Sequence, residues 1–331
     1  MKTQKEFEDF VDSELGAELN TINKQRKGTV NMFIISLIVC LAFVGFMVYS
    51  SMNGASIFES SDTLIIIAVG FIALYGISFT VIHFIKRSKR NGTPTTSSGY
   101  GYAFDFKDKV VRRMVEFLDP SFKYQTSNHI KLSEILESGM LQKQNGYQIF
   151  GSDMVQGVED GVPFKFSDVQ IVREKKYVGK NEEPVESVLS GSMFIAEFNK
   201  TFTHPVYVYS KKTFGGMDSL RYAGDKVRLE DPDFDKLFNV YGEDQIEARY
   251  ILTPSMMERL KSLRQRLGSN VYIVFSNNSI YIANNNGKDR FEIGMLTSVS
   301  KRENVIGYYN DLAEQLGIID ELKLNLNIWK A

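Results

Sequence analysis

The sequence predicts an α+β protein in which an N-terminal two-helix transmembrane hairpin precedes a mixed, mainly antiparallel cytoplasmic α+β domain. Two apolar runs, residues 30–49 and 64–85, contain no Asp, Glu, Lys or Arg, and each is long enough to cross a bilayer as a helix. After residue 102, alternating or β-branched runs between Gly, Asp and Pro breaks predict strands. Helical stripes are interspersed without a regular β-α-β order, which favours an antiparallel sheet.

Charges around the two runs predict the topology of the hairpin. The connector, residues 50–62, contains Glu59 and Asp62 but no Lys or Arg, whereas basic residues flank the other end of each run. The positive-inside rule therefore predicts a multi-pass protein of the cell (inner or plasma) membrane with both termini in the cytoplasm. The basic residues after the second run are also predicted to contact anionic lipid, at about 1 kcal/mol each. They are Lys86, Arg87, Lys89 and Arg90, and those before the first run are Lys24, Arg26 and Lys27.

The segments that flank the hairpin have distinct predicted roles. Residues 1–28 form a cytoplasmic amphipathic helix, in which the apolar residues of 5–22 recur at helical spacing and must cover either the bilayer surface or the soluble domain. Residues 87–102 combine the basic juxtamembrane segment with a linker, because 92–101 (GTPTTSSGYG) is rich in turn formers and lacks periodicity. The apolar stripe consists of Phe7, Phe10, Val11, Leu15, Leu19 and Ile22.

Composition excludes several classes of function. The formal net charge is -1, so the chain lacks the overall basic character that nucleic-acid binders usually show, and we expect no nucleic-acid partner. The single cysteine, Cys40, lies inside the first apolar run, so an intrachain disulfide is impossible. A reactive or lipidated thiol at Cys40 is the alternative to an inert membrane residue, and the apolar surroundings favour the inert one.

Residues 103–331 are predicted to form the cytoplasmic α+β domain. Helices are expected over 110–118, 130–141 and 305–317, and after the cap-then-proline pairs Asp231-Pro232 and Thr253-Pro254. The first strands fall between 148 and 229, a meander follows over 271–293, and a final strand is expected over 322–328. For residues 244–252, capping-box spacing predicts a helix and alternation predicts a strand, and we favour the helix.

Three segments of the domain resemble a known family. The run Leu229-Glu-Asp-Pro-Asp-Phe-Asp-Lys-Leu-Phe-Asn-Val-Tyr-Gly-Glu-Asp-Gln-Ile-Glu-Ala-Arg-Tyr-Ile-Leu-Thr-Pro-Ser-Met-Met-Glu-Arg-Leu260, together with 193–200 and 151–158, resembles the bacterial membrane proteins grouped as domain of unknown function 3137. The resemblance implies two membrane helices followed by a cytoplasmic domain. It implies no catalytic residues, because that family has no assigned activity. Ser190-Gly191-Ser192 departs from the aromatic and basic residues expected around this glycine.

The strongest candidate site lies in the same run. Asp244, Glu247 and Arg249 could form an acid–base or ion-pair site, and with Arg259 they make our predicted ligand or partner surface. The structural alternatives are helix capping for Asp244, ordinary ion pairs for Glu247 and Arg249, and a solvated helix face for Arg259 and the basic residues near it. The spacing of Asp231, Asp233 and Asp235 resembles a calcium loop, but the required Gly and Glu are missing, which favours capping.

The sequence contains no recognised catalytic or metal-binding motif. Signatures for zinc, for nucleotide phosphates and for a serine nucleophile do not occur, so we expect no metal or other cofactor. The sequence therefore predicts a membrane-anchored protein, not an enzyme, whose cytoplasmic domain binds a protein partner. The alternatives are a membrane-tethered enzyme or small-ligand sensor that uses residues 244–249, and a module that binds anionic lipid surfaces.

Overall fold

The computed structural model describes residues 2–52, 101–143, 146–174, 185–211, 224–294 and 297–325. The second apolar run (64–85), the basic residues Lys86, Arg87, Lys89 and Arg90, and the linker up to residue 100 lie outside the described residues. The two-helix hairpin, the topology and the lipid contacts of those four residues therefore stay predictions.

An unbroken helical segment begins the chain. It consists of α1 (Gln4–Phe10), a π-helical stretch π1 (Val11–Leu15) and α2 (Gly16–Met52). A capping box starts it, because the backbone N–H of Thr3 donates to Glu6 at 2.7 Å and the Thr3 hydroxyl accepts from the Glu6 backbone N–H at 3.3 Å. The chain is therefore helical without interruption from residue 4 to residue 52.

The first part of this segment packs on the folded domain. Five stripe residues at four- or three-residue spacing are at most 3% exposed. A four-residue spacing drifts around an α-helix of 3.6 residues per turn, and the wider π turn brings the stripe back into line. The predicted amphipathic helix is confirmed, and its apolar face covers the domain. These residues are Phe7, Val11, Leu15, Leu19 and Ile22.

The apolar part of α2 is uncovered among the described residues. This helix alone, within the described ranges, is long and apolar enough to cross a membrane, and none of its most apolar window is buried. Met32 is 73% exposed and Leu41 is 62% exposed. The core helix of a soluble protein would be mostly buried, so the exposure supports membrane association of the first apolar run.

A second helical segment enters the domain at residue 101. It consists of α3 (Gly101–Asp105), a π-helical stretch π2 (Phe106–Val111) and α4 (Arg112–Leu118). Asp119, which precedes Pro120, is extended and ends the helix as predicted. Its buried face includes the predicted apolar residues and extends back to Phe106.

In the part of the chain that the structure describes, nine strands form one sheet in the order β1-β2-β3-β4-β9-β8-β5-β7-β6, and every pairing is antiparallel. The mixed, antiparallel α+β class is thus confirmed. The strands are β1 (Lys123–Gln125), β2 (Tyr147–Glu159), β3 (Val162–Glu174), β4 (Val185–Glu197), β5 (Val206–Ser210), β6 (Asp225–Lys226), β7 (Phe238–Gly242), β8 (Val271–Ser276) and β9 (Ser279–Asn284).

Alternate strand residues supply two apolar cores, one on each face of the sheet. The larger core joins one face to the N-terminal helix, to α3–α4 and to the later helices. The smaller core packs the other face against the chain around α5. The further helices are α5 (Leu132–Glu137), α6 (Pro232–Leu237), α7 (Gln245–Ile251), α8 (Pro254–Leu267) and α9 (Arg302–Leu322).

Several predicted element boundaries were wrong. The helix expected over 130–141 is limited to α5, and the third meander strand over 290–293 is irregular chain. The expected final strand over 322–328 is wrong at its start, since Leu322 is the last residue of α9 and Lys323 caps that helix in a left-handed conformation (φ 53°), while residues 326–328 lie outside the described residues. In contrast, residues 245–251 are helical as favoured, and Asp231, Asp244 and Thr253 are the predicted caps.

We predict that Leu15→Ala destabilises the folded domain by about 2–5 kcal/mol, because it leaves a cavity between the N-terminal helix and the core. Ser13→Ala, on the exposed side of the same turn, should change stability by at most about 0.5 kcal/mol. Urea unfolding of the full-length protein in detergent measures both variants. Equal stability of the two variants would mean that the N-terminal helix contributes nothing to the core.

Candidate functional site

The described residues contain one dense group of buried charges, which we call the buried charge network. Its members come from π2, β2, β3 and the chain between β9 and α9, so the fold assembles it from four distant parts of the sequence. Lys107, Asp153 and Arg290 are at most 2% exposed and Asp168 is 6% exposed. The network consists of Lys107, Asp153, Asp168, Arg290 and Glu292.

Lys107 lies within π2 on the inward face of its helix. Its Nζ is 2.7 Å from Asp153 Oδ2 and 2.5 Å from Glu292 Oε1. Burial by itself lowers the pKa of Lys107, but the attraction of Asp153 and then of Glu292 outweighs it and holds the pKa above the usual range. Lys107 is therefore a permanent cation and a poor nucleophile.

A distorted part of β2 presents Asp153. The β2–β3 register shifts between Ser152 and Val155, and Asp153 itself is left-handed with φ 61°. Its carboxylate accepts from Lys107, from the Ser152 hydroxyl at 2.6 Å and from the Tyr124 hydroxyl. Burial, followed by the charge of Asp153, raises the pKa of Tyr124 well above its usual value, so this hydroxyl keeps its proton.

Arg290 holds the second half of the network. Its guanidinium is 2.8 Å from Asp168 and 2.8 Å from Glu314, and its backbone N–H also donates to Asp168. The next residue, Phe291, is left-handed (φ 58°), which is rare for a bulky side chain. Packing against the ring of Tyr124 holds it there, with the two ring centroids 6.4 Å apart.

A small cavity of about 80 Å³ borders the network, with space for a few water molecules. Ser152, Asp168 and Asp289 contribute polar groups to its wall. Gly151 is required there, because a Cβ at this position would lie 2.3 Å from the carbonyl oxygen of Asp168. Gly191 also lines it, with φ 146° and no room for a Cβ beside the carbonyl oxygen of Asn284.

Two carboxyl groups of this region have raised pKa values. Burial raises the pKa of Asp168 to about 6, although Arg290 opposes the shift. Desolvation by the surrounding protein, and next the charge of Glu292, raise the pKa of Asp289, although Lys107 opposes the shift. The Asp289 side chain is in contact with water, which moderates this second shift.

Three carboxylates of this region lie close enough to share a cation. One oxygen each from Asp153, Asp168 and Asp289 lies within 4.8 Å of the others, a spacing that could hold a metal ion. The chain already supplies positive charge there, because Lys107 bonds Asp153 and Arg290 bonds Asp168. The geometry therefore accounts for these two buried carboxylates with protein cations alone.

The predicted surface around Asp244 has a different geometry. Asp244 caps α7 and accepts the backbone N–H groups of residues 246 and 247 at 2.7 and 2.9 Å. Glu247 accepts the backbone N–H groups of Thr203 and His204 at 2.5 and 2.8 Å, and lies 3.0 Å from the His204 ring. Arg249 donates to the backbone carbonyls of residues 245 and 228. The structure thus pairs Glu247 with His204 and directs Arg249 to carbonyls.

The same helix exposes two apolar side chains. Ile246 is 80% exposed and Tyr250 is 40% exposed, and their spacing of four residues puts them on one side of α7. Ala248 and Ile251 occupy the buried side. We call the exposed side the α7 surface and define it by Asp244, Ile246, Arg249 and Tyr250.

Arg259 and the other basic residues of α8 make intramolecular contacts. Arg259 donates to the carbonyl oxygen of Leu322 at 3.2 Å, and Arg264 donates to the Ser210 hydroxyl at 3.2 Å. Lys261 bonds Asp231 and Glu258, and Arg266 bonds Glu321. These contacts tie α8 to neighbouring elements and reduce the charge that α8 can offer to a phosphate. The prediction of a ligand or partner surface at Asp244, Glu247, Arg249 and Arg259 stays a prediction.

Sequence reasoning missed the buried charge network. One signal was visible: Lys107 lies four residues before Val111 and eight before Val115, on the predicted apolar face of the helix. A lysine in that position needs a buried partner. Its partners could not be identified, because Asp153 and Glu292 are 46 and 185 residues away in the sequence.

The comparisons with known proteins identify a family resemblance. The family described as protein of unknown function (DUF3137) matches residues 187–324. That range includes two of the three segments on which the resemblance rests and confirms it there. The 151–158 segment lies outside the matched range. Lys107, Asp153 and Asp168 also lie outside it, whereas Arg290 and Glu292 lie within it.

One solved structure is similar over 61% of this chain and 93% of its own, with 11% sequence identity and a TM-score of 0.30. It is the crystal structure of the mycobacterial trehalose monomycolate transport factor A, TtfA. A likeness of this size supports no statement about fold or function. No curated protein matches the chain.

We predict that Lys107→Met destabilises the domain by about 3–5 kcal/mol, because it leaves Asp153 buried without its cation. Adding Asp153→Asn to this variant should restore part of the loss, since it removes the stranded charge. Lys109→Met, two residues away with a 56% exposed side chain, is the control and should cost at most about 0.5 kcal/mol. Urea unfolding measures all three, and a harmless Lys107→Met would contradict the assigned role.

We also predict a pH effect from Asp168. Because its folded pKa of about 6 exceeds an unfolded value of about 3.9, the folded state binds more protons between about pH 4 and pH 6. The contribution of this group to stability is therefore present at low pH and is lost as the pH rises through that window, by up to about 3 kcal/mol. Asp168→Asn should remove this part of the slope of stability against pH.

The control for the pH measurement is Asp9→Asn, which neutralises an exposed carboxyl group in α1. It should keep the slope of the unmodified protein between pH 4 and pH 6. Equal slopes for Asp168→Asn and the unmodified protein would contradict a raised pKa at Asp168.

Proposed function

We propose that this is a multi-pass protein of the cell (inner or plasma) membrane, with both termini in the cytoplasm, whose α+β domain binds another protein. The observation that carries the proposal is the unbroken helix from the domain core into an uncovered apolar run. No described linker separates the two parts, so the domain is held at the membrane surface in a fixed orientation.

The packing of the N-terminal helix argues for a retained anchor. Removal of the first apolar run by a signal peptidase would also remove Phe7, Val11 and Leu15, each at most 1% exposed in the core. The domain would lose part of its own interior. A permanent membrane helix is therefore the better explanation of the exposed apolar residues between 30 and 45.

The α7 surface is our proposed partner-binding surface. It combines exposed apolar side chains, Ile246 and Tyr250, with the charged residues Asp244 and Arg249 at their sides. An apolar centre with a polar rim is typical of protein interfaces, in which aromatic residues and Arg are enriched. Tyr250 is further fixed by Lys200, whose Nζ lies 4.4 Å from the ring centroid.

A small-ligand sensor or enzyme that uses residues 244–249 is the alternative. An enzyme or sensor of this kind requires the side chains of Glu247 and Arg249 to point into the same ligand-binding pocket. In the structure, the Glu247 carboxylate accepts three bonds from residues 203 and 204, and Arg249 donates to two backbone carbonyls. These arrangements favour protein binding over ligand binding at this position.

We predict that Ile246→Asp abolishes a stoichiometric protein partner without unfolding the domain. The side chain is 80% exposed, so stability should change by at most about 0.5 kcal/mol. The measurement is mild cross-linking in native membranes, followed by purification of the full-length protein in detergent and quantification of co-purifying proteins.

Val158→Asp is the matched control, because Val158 is 50% exposed and lies in β2, near the other end of the strand order from β7 and the α7 that follows it. It makes the same chemical change and should retain the partner. A partner that survives Ile246→Asp and Tyr250→Ala, or a preparation without any stoichiometric partner, would contradict the proposal.

A further inference from the structure

The folded domain reaches almost to the start of the apolar run. Ile22 and Arg26 of α2 are 3% and 6% exposed, whereas Lys24 and Lys27 are exposed. Only three residues separate Arg26 from Val30, which corresponds to about 6 Å of helix between the two. The polar headgroup layer of a bilayer is of similar thickness, about 5–7 Å on each side. The edge of the domain thus lies at the level of the headgroups.

A second helical segment reaches the same edge. Phe117 of α4 stacks on Phe10, with ring centroids 4.1 Å apart, while Arg113 bonds Glu14 and Glu18 further along the N-terminal helix. The two segments are therefore antiparallel. The beginning of α3 accordingly lies beside the end of the buried part of α2, and Phe104 there is 43% exposed.

The chain before α9 completes this edge. The Asn23 side chain donates to the Ser300 hydroxyl at 3.2 Å, which fixes residue 300 beside α2. Lys301 follows and is exposed. Among the neighbouring charges, Arg302 is bonded to Glu8, Asp105 is bonded to Lys109, and Glu303 is an exposed carboxylate. The exposed lysines of this edge are Lys24, Lys27 and Lys301, and the exposed carboxylates near Ser300 are Glu303 and Asp12, which lines a pocket together with Ser300 and Arg302.

We propose that this edge, the membrane-proximal face, binds the headgroups of anionic lipids. We define it by Lys24, Lys27, Phe104, Ser300 and Lys301. The inference rests on the proposed membrane anchoring and adds a lipid-binding surface on the folded domain itself.

The composition of the face fits a lipid surface. Lysines with long apolar stems can reach phosphates of the headgroups, and an exposed apolar ring such as that of Phe104 can enter the boundary between headgroups and acyl chains. The lysines lie within about one Debye length of the headgroups, so their attraction to an anionic leaflet is only partly screened. A protein partner on this face would have to insert between the domain and the bilayer, where about 6 Å of helix leaves no space for it.

The test uses the full-length protein in nanodiscs. In a Cys40→Ser background, Ser300→Cys becomes a unique site for an environment-sensitive fluorophore, and lipids with a spin-labelled headgroup serve as the quencher. The spin-labelled lipid is a small fraction of a phosphatidylcholine nanodisc and is either phosphatidylcholine or phosphatidylglycerol, so quenching reports enrichment of that lipid at the face and not the fixed distance of the face from the bilayer. Quenching should be at least about twofold stronger with the anionic lipid, and 0.5 M salt should reduce the difference.

Charge reversal gives the matched comparison. Lys24→Glu, Lys27→Glu and Lys301→Glu together should abolish the difference between the two lipid compositions. The control variant reverses three exposed lysines elsewhere, at positions 123, 143 and 226, with the same change in net charge, and should keep the difference. A label at Lys226→Cys should remain unquenched in both nanodiscs.

The outcomes separate this inference from the proposed function. If the protein stays in the lipid fraction after an alkaline wash but quenching is equal in both nanodiscs, or the reversal variant keeps the difference, headgroup binding is overturned and anchoring stands. If the alkaline wash releases the protein, the anchoring proposal is overturned, and this inference with it. If only the control variant loses the difference, total charge is responsible and the assigned face is wrong.

Discussion

One helix that passes from the domain core into an apolar run constrains the rest of this molecule. Its first half packs against α3–α4 and α9 and contributes buried side chains to the core, while its second half exposes apolar side chains whose contact with water is unfavourable. The helix has no break among the described residues. Under the proposed membrane anchoring, the apolar half would lie in lipid while the domain keeps its N-terminal helix, and the distance between domain and bilayer would follow from the helix that joins them.

The buried charge network adds a second constraint, because charges are expensive to bury unless they are paired. Lys107 comes from the helical segment that enters the domain, and Arg290 comes from the chain that leads to α9. Their carboxylate partners Asp153 and Asp168 belong to neighbouring strands of the sheet. Lys107 thus ties its own helical segment to the sheet, and Arg290 ties α9 to it by bonding both Asp168 and Glu314 of that helix. A shift of either helix would break ion pairs with buried carboxylates. The network fixes the position of helices on the sheet more than it adds to net stability.

Periodicity in the sequence was sufficient for the elements that local rules define. The apolar spacing from Phe7 to Ile22, the stop at Asp119 and the caps at Asp231, Asp244 and Thr253 all depend on neighbours within a few residues, and the structure confirms them. Features that depend on contacts between distant parts of the sequence could not be predicted in this way. The stripe alone left open whether bilayer or domain would cover it, and the alternation of leucines from Leu322 onwards predicted a strand where α9 still ends.

The candidate sites divide in the same way. The helix over residues 245–251 and its cap at Asp244 could be predicted from the sequence because a cap depends on neighbouring residues. The contact between Glu247 and His204 could not, because the two residues are 43 positions apart. Lys107 was visible as a misplaced charge, but its carboxylates are supplied by a bulge in β2 and by the irregular chain after β9, which no short spacing encodes.

The two constraints together favour a domain that moves as one body with its membrane helix. Displacement of the N-terminal helix would expose Phe7, Val11 and Leu15, and displacement of the next segment would expose Lys107 and Asp153. Both changes cost more than a typical coupling free energy of 1–3 kcal/mol between two sites. A partner bound to the proposed α7 surface would therefore leave both helices in place. Binding would instead hold the partner at the membrane surface, because the domain is rigidly attached to its helix.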